Sequence, residues 1–185
     1  MTKDQAYPFV PKSNAYLRPG HFWQIPLSNS KFACGRVLQI GNNLHYGSRT
    51  AILAGLIDWS GNSVPTSQTI AGCKLLEQGR AHIKSISWNG GQILGYRPLE
   101  EDGIEPIYEL SHMPVKDCML MKGLVEVRKA TLREKKTLYI HSTWGLEVIK
   151  LLAEMYFVEK RNPKRKLPWD EYQEFLAHVN LQSHH

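Results

Sequence analysis

The feature that most limits what this chain can become is the alternation in GHFWQIPLSNSKFACGRVLQI, residues 20–40. Trp23, Ile25 and Leu27 occupy every second position, and Ser28-Asn29-Ser30 supply a turn. Phe32, Cys34, Arg36, Leu38 and Ile40 then alternate with Ala33, Gly35, Val37 and Gln39. A period of two that reverses at a polar turn predicts a β-hairpin, and it sets Arg36 on the face of four apolar side chains. An isolated buried guanidinium is too costly, so Arg36 must find carboxylates or carbonyls. One reading is an intramolecular clamp with Asp58 or Glu109 as the carboxylate. The other is an open barrel mouth or pocket, to which Arg36, Trp23 and Trp88 contribute, ready for an acidic partner or an anion. In that reading Gly35, lacking a side chain, lets another backbone approach.

The rest of the chain reads as more strands followed by helices. Residues 1–19 carry Pro8, Pro11 and Pro19 and little periodicity, which predicts an extended arm. Gly41-Asn42-Asn43 is a loop signal, and TAILAGLIDW (50–59), apolar on both parities, fits a buried central strand. Residues 66–79 are ambiguous: Ile70, Cys73, Leu75 and Leu76 suit a short helix closed at Gly79, and Gly72 counts against it. Residues 81–88 and 92–97 read as a second hairpin turning at Asn89-Gly90. EPIYEL (105–110) suggests a short edge strand, and LMKGLVEVRKA and KKTLYIHS two more, with polar TLREK between them. At Ser142-Thr143-Trp144 the period changes. Thr143 is placed to cap a helix whose stripe is Leu146, Ile149, Leu152 and Met155, and Asn162-Pro163 breaks it. A second helix begins near Pro168, with Trp169, Tyr172, Phe175, Leu176 and Val179 on one side. The expected class is α+β, mainly β: a curved antiparallel sheet or partly open small barrel with C-terminal helices packed against it. The expected organisation is an arm (1–19), a β-rich core (20–141) and a helical extension (142–185).

Chemistry-bearing patterns are scarce. None of the eight histidines makes an HxxxH or HExxH, and none has zinc-like spacing from a cysteine, so no metal site is expected. Cys34, Cys73 and Cys118 are widely spaced, odd in number and without a CxxC pair, as expected of reduced thiols in a cytoplasmic protein. There is no GxSxG, Walker loop or GxGxxG. The sequence argues against an enzyme: no catalytic residue and no cofactor is expected. No signal peptide and no membrane span is read in it.

Charge is more informative. Residues 122–166 hold twelve Lys/Arg against five Asp/Glu, whereas all other residues together come to −1. Glu100, Glu101, Asp102, Glu105 and Glu109 form an acidic stretch with no basic residue between 98 and 115. Such a stretch repels itself and attracts a cationic surface, and these five carboxylates are the expected partner-binding residues. The basic third and the tryptophans suggest an alternative, a small β-barrel that binds nucleic acid. Core packing explains Trp23 and Trp144 first, which makes nucleic acid the weaker reading.

The block YLRPGHFWQIPLSNSKFACGRVLQI resembles the immunity protein 26 family of bacterial polymorphic toxin systems. The positions that carry the resemblance are Gly20, Phe22, Trp23, Ile25, Pro26, Leu27, Phe32, Ala33, Gly35, Arg36 and Val37, and LAGLIDW and GGQILGYRPL extend it over about 15–110. The resemblance implies a cytoplasmic antidote that binds a cognate protein toxin and blocks its active site, a task that needs a rigid sheet and a complementary surface but no catalysis.

Overall fold

The computed structural model describes residues 6–41, 49–163 and 165–182. Asn42 and Asn43 of the expected loop lie outside them, as do His45, Lys164, His184 and His185. The elements run β1 (His21–Pro26), β2 (Phe32–Ile40), β3 (Ala51–Gly61), β4 (Leu75–His82), α1 (Lys84–Trp88), β5 (Ile93–Tyr96), β6 (Tyr108–Leu110), β7 (Met119–Lys122), β8 (Val125–Lys129), α2 (Leu132–Thr137), β9 (Thr143–Trp144), α3 (Val148–Phe157) and α4 (Pro168–Gln182). They fall into two compact units. Of the described residues, one unit holds those through Pro106 together with Ser142–Pro163; the other holds Ile107–His141 together with 165–182.

The first unit is a six-stranded sheet in the order β5-β1-β2-β3-β4-β9, open at both edges. Neighbouring strands are antiparallel except β4 and β9. The β1–β2 hairpin pairs Phe22 with Arg36 through to Pro26 with Phe32, and Leu27 N–H closes the turn on Lys31 O at 2.8 Å. Phe9, in the N-terminal arm, exchanges both backbone hydrogen bonds with Ile93 on β5.

Both faces of this sheet are buried. Trp23, Ile25, Val37, Ile52, Ala54, Leu56 and Ile93 pack on one face with Ile149 and Ala153 of α3. Cys34, Arg36 and Leu38 belong to the other. The simple alternation holds only to Leu38, because the β2–β3 register shifts between Val37 and Gln39. That bulge turns Ile40, expected beside Arg36, to the opposite face, where it pairs with Ile52 and packs on the α3 core.

The expected hairpin over 81–97 is not there. Residues 75–82 are strand, and 84–88 form α1. Ile83 and Ile86 are both buried, three apart, so here the helical period wins over the period of two. Asn89-Gly90 ends the helix instead of turning a hairpin: Gly90 has φ +77° and its N–H bonds Ser87 O at 2.9 Å. The short helix read within 66–79 is likewise a set of turns through Gly72 followed by β4 from Leu75. Thr143, read as a helix cap, sits in β9, which lies parallel to β4; the helix starts at Val148 with Glu147 before it.

In the second unit β6, β7 and β8 make an antiparallel three-stranded sheet, with Gly123 at φ +60° in the β7–β8 turn. Leu110, Cys118, Leu120 and Met121 are buried in it. The strand expected from KKTLYIHS does not form: its first three residues end α2, and of the rest Ile140 makes an isolated bridge to Leu110. Thr131-Leu132-Arg133-Glu134 is a capping box, in which Thr131 Oγ1 accepts Glu134 N–H and Glu134 accepts Thr131 N–H. The helix at Pro168 forms as expected, and it belongs to this unit, where Trp169 lies 5.3 Å from Lys136 Nζ of α2. No described helix is long and apolar enough to cross a membrane.

Candidate functional site

Arg36 is fully buried in the middle of β2. Its carboxylate is neither Asp58 nor Glu109 but Asp102, whose side chain is also fully buried, with Nη1 2.6 Å from Oδ2. Nη2 donates to the backbone carbonyl of Arg97, and Nε has no hydrogen-bond partner. Asp102 does more than neutralise Arg36. Its Oδ1 accepts the Gly72 N–H at 2.8 Å and Arg97 Nε at 2.9 Å. Burial opposes ionisation of this carboxyl, but the hydrogen bonds from Gly72, Arg36 and Arg97 outweigh it and hold its pKa below the ordinary aspartate value. One carboxylate thus joins β2, the end of β5 and the loop before β4.

Asp102 is the last residue of a single 3-10 turn, Glu100–Asp102. Leu99 and Ile104 on either side are buried, and Ile104 N–H and Asp102 N–H both return to Leu99 O. Gly103, at φ +62°, closes the turn in a conformation that suits glycine. Anchored at 99, 102 and 104, the segment turns Glu100, Glu101 and Glu105 outward, and all three are exposed. Glu101 meets Arg97 Nη1 at 3.0 Å, a surface pair of small energetic weight. Glu109 is elsewhere in character. It is buried in the second unit, bonded to His141 Nδ1 at 3.1 Å with Arg165 4.0 Å away. The self-repelling cluster read from the sequence is therefore divided: Asp102 and Glu109 face inward onto cations from other parts of the chain, and Glu100, Glu101 and Glu105 face solvent.

The span that carries this arrangement decides the family: residues 18–115, just over half of the chain, match the family model for Immunity protein 26. The chain belongs to that family. The match covers β1 through β6, and so includes Arg36, Arg97, Asp102 and the acidic turn. Comparison with curated proteins and with solved structures gives no match.

In this immunity protein 26 chain the two tryptophans grouped with Arg36 lie apart from its guanidinium. Trp23 is buried on the opposite face, against Gly35, where an added Cβ would come within 2.3 Å of the indole. Gly35 thus admits a ring and not another backbone. Trp88 ends α1, 58% exposed, and its Nε1 donates to Glu147 at 3.2 Å. Burial pushes the Cys34 thiol well above its ordinary pKa, as suits a packing residue. Among the described residues no group of three or more His, Cys, Asp or Glu is placed to hold a metal ion. Sequence reasoning missed Arg97 and Gly72, the other two ligands of Asp102. The one local signal was the spacing of Arg97 and Glu101, an i,i+4 pair beside Asp102.

Proposed function

We propose that this protein binds a cognate toxin and neutralises it by covering the toxin's active site, with Glu100, Glu101 and Glu105 at the contact. Membership of the family implies an immunity protein, and an inhibitor's role in place of a catalytic one. The observation that supports the acidic turn as the contact is its anchoring. Three exposed carboxylates sit on a backbone held by buried Leu99, Asp102 and Ile104, so charge is presented without the entropy cost of ordering a loose loop. A cationic toxin surface would relieve their mutual repulsion and be steered onto them. An antidote of this kind works in the cytoplasm of the cell that makes the toxin.

The test begins with a search of the genes beside this one for a toxin, which is then co-expressed with it. Co-expression should restore growth. Neutralising Glu100, Glu101 and Glu105 together to glutamine should slow association about tenfold at low ionic strength and flatten its salt dependence, with the unfolding midpoint unchanged. Asp102 is left out of this variant because its carboxylate is structural. A triple variant that associates as fast as the parent at low salt removes the turn from the interface. Sub-micromolar, steeply salt-dependent binding of single-stranded DNA or RNA by the parent would favour the nucleic-acid reading instead.

A further inference from the structure

Beside β1 and β5 the first unit opens into a cleft of about 600 Å3, within the size range of sites that hold a small ligand or a few residues of peptide. One wall is Leu94–Tyr96 of β5; the other is the loop at Val64 and Pro65, and Phe22 reaches the cleft from β1. Both walls are tied down by the same carboxylate. Asp102 bonds Gly72 N–H beyond one wall and Arg97, next to Tyr96, beyond the other. The loop is pinned again by fully buried Ile70 and by the reciprocal bonds of Thr66 and Thr69, in which each backbone N–H meets the other's hydroxyl at 2.9 and 3.2 Å. A cleft so braced is formed before anything enters it.

What it carries, without an answering charge among the described residues, is a cation. The Arg18 guanidinium lies over the Tyr96 ring, 3.7 Å from its centroid, at the edge of the cleft. No carboxylate pairs with it among the described residues. The neighbouring His21 adds no positive charge near neutral pH, since burial first and Arg18 second lower its pKa to about 4. A guanidinium stacked by its face on an aromatic ring keeps its N–H edge free, the geometry that receives a carboxylate with two parallel hydrogen bonds.

We infer that this cleft is a docking site for a carboxylate-bearing apolar segment of a protein partner, with Arg18 taking the carboxylate and Phe22, Leu94, Val64 and Pro65 taking the apolar side chain beside it. The charge it selects is opposite to that selected by the acidic turn. The site is thus a separate contact that stands without the reading given above.

The probe is a tetrapeptide ending in Leu-Phe with a free carboxylate, titrated into the full-length 15N-labelled protein, with the same peptide as its C-terminal amide for comparison. Amide resonances of residues 64–67 and 94–96 should shift and saturate with the acid. The amide should bind at least about tenfold more weakly, and so should the acid to Arg18→Gln, as expected when a charge-assisted bidentate pair is lost. If Arg18→Gln does not fold, the comparison of acid and amide on the parent protein decides alone. Equal binding of acid and amide, shifts confined to other surfaces, or no shift at all would overturn the inference. None of these results bears on whether the protein inhibits a toxin through its acidic turn.

Discussion

Replacing Arg36 by alanine should destabilise the first unit by less than replacing Asp102 by alanine, although the two residues form one ion pair. Breaking a buried pair costs about 3–5 kcal/mol, largely because the survivor is a stranded charge. Asp102 is not stranded when Arg36 goes, since it keeps the Gly72 N–H at 2.8 Å and Arg97 Nε at 2.9 Å. Arg36→Ala therefore belongs at the low end, about 3 kcal/mol. Asp102→Ala leaves a fully buried guanidinium with a single carbonyl, its Nε already without a partner, and it releases Arg97 and Gly72 as well. That variant belongs at the high end, about 5 kcal/mol, and the double variant should cost roughly 2 kcal/mol less than the sum of the singles. Urea unfolding read by tryptophan emission measures this. A Trp169→Phe background leaves Trp23, Trp59, Trp88 and Trp144 as reporters, all in the first unit. Should Asp102→Ala fail to fold, Asp102→Asn, which keeps an acceptor, replaces it in the same order of stabilities. Additive effects, or an arginine variant that costs more than the aspartate one, would refute the reasoning.

Acid should weaken the fold through His21, whose pKa burial and the nearby Arg18 depress from 6.5 to about 4. Between these values the unfolded chain binds the extra proton and the folded one refuses it, so stability falls by about 3 kcal/mol as pH drops through the window. Urea midpoints across it should show that slope in the parent and a much flatter one in His21→Asn. Asp102, whose pKa is lowered, titrates below this window, where its contribution is lost only as pH falls through its folded value. Gly79→Ala should cost about 1–3 kcal/mol or more by thermal unfolding, because the new Cβ would stand 2.3 Å from the Trp144 indole. Thr131→Ala should remove about 1 kcal/mol from α2, seen as faster amide hydrogen exchange confined to residues 132–137.

Elements whose burial follows a simple period were legible in the sequence. The 20–40 hairpin, the strand at 51–61 and the helix from Pro168 all form where alternation, an apolar run or helical spacing places them. Short elements were not, because their signals are shared. Asn-Gly serves a helix end as readily as a hairpin, and the capping box Thr131–Glu134 drew Lys135, Lys136 and Thr137, the start of an expected strand, into α2. Of the candidate site, the need of Arg36 for a partner was legible, since it follows from the cost of a buried charge. The partner itself was not, because Asp102 lies 66 residues away and only the folded sheet brings it near. The same holds for Glu109: no local charge pattern reveals that His141 will hydrogen-bond it and that Arg165 will stand 4.0 Å away.

The turn of the first hairpin is finished by a residue from α3. Glu154 accepts Ser28 N–H at 2.7 Å and Ser28 Oγ–H at 2.8 Å across 126 residues of chain. On the ribosome these two groups are separated by roughly 6–25 s of synthesis. Ile149, Ala153 and β9, which complete the same core and sheet, also arrive late. The hairpin can form early from local pairing, but it stays unsealed until α3 has been made, and contacts of such long range slow folding further. The first unit is therefore completed only after α3 has been synthesised.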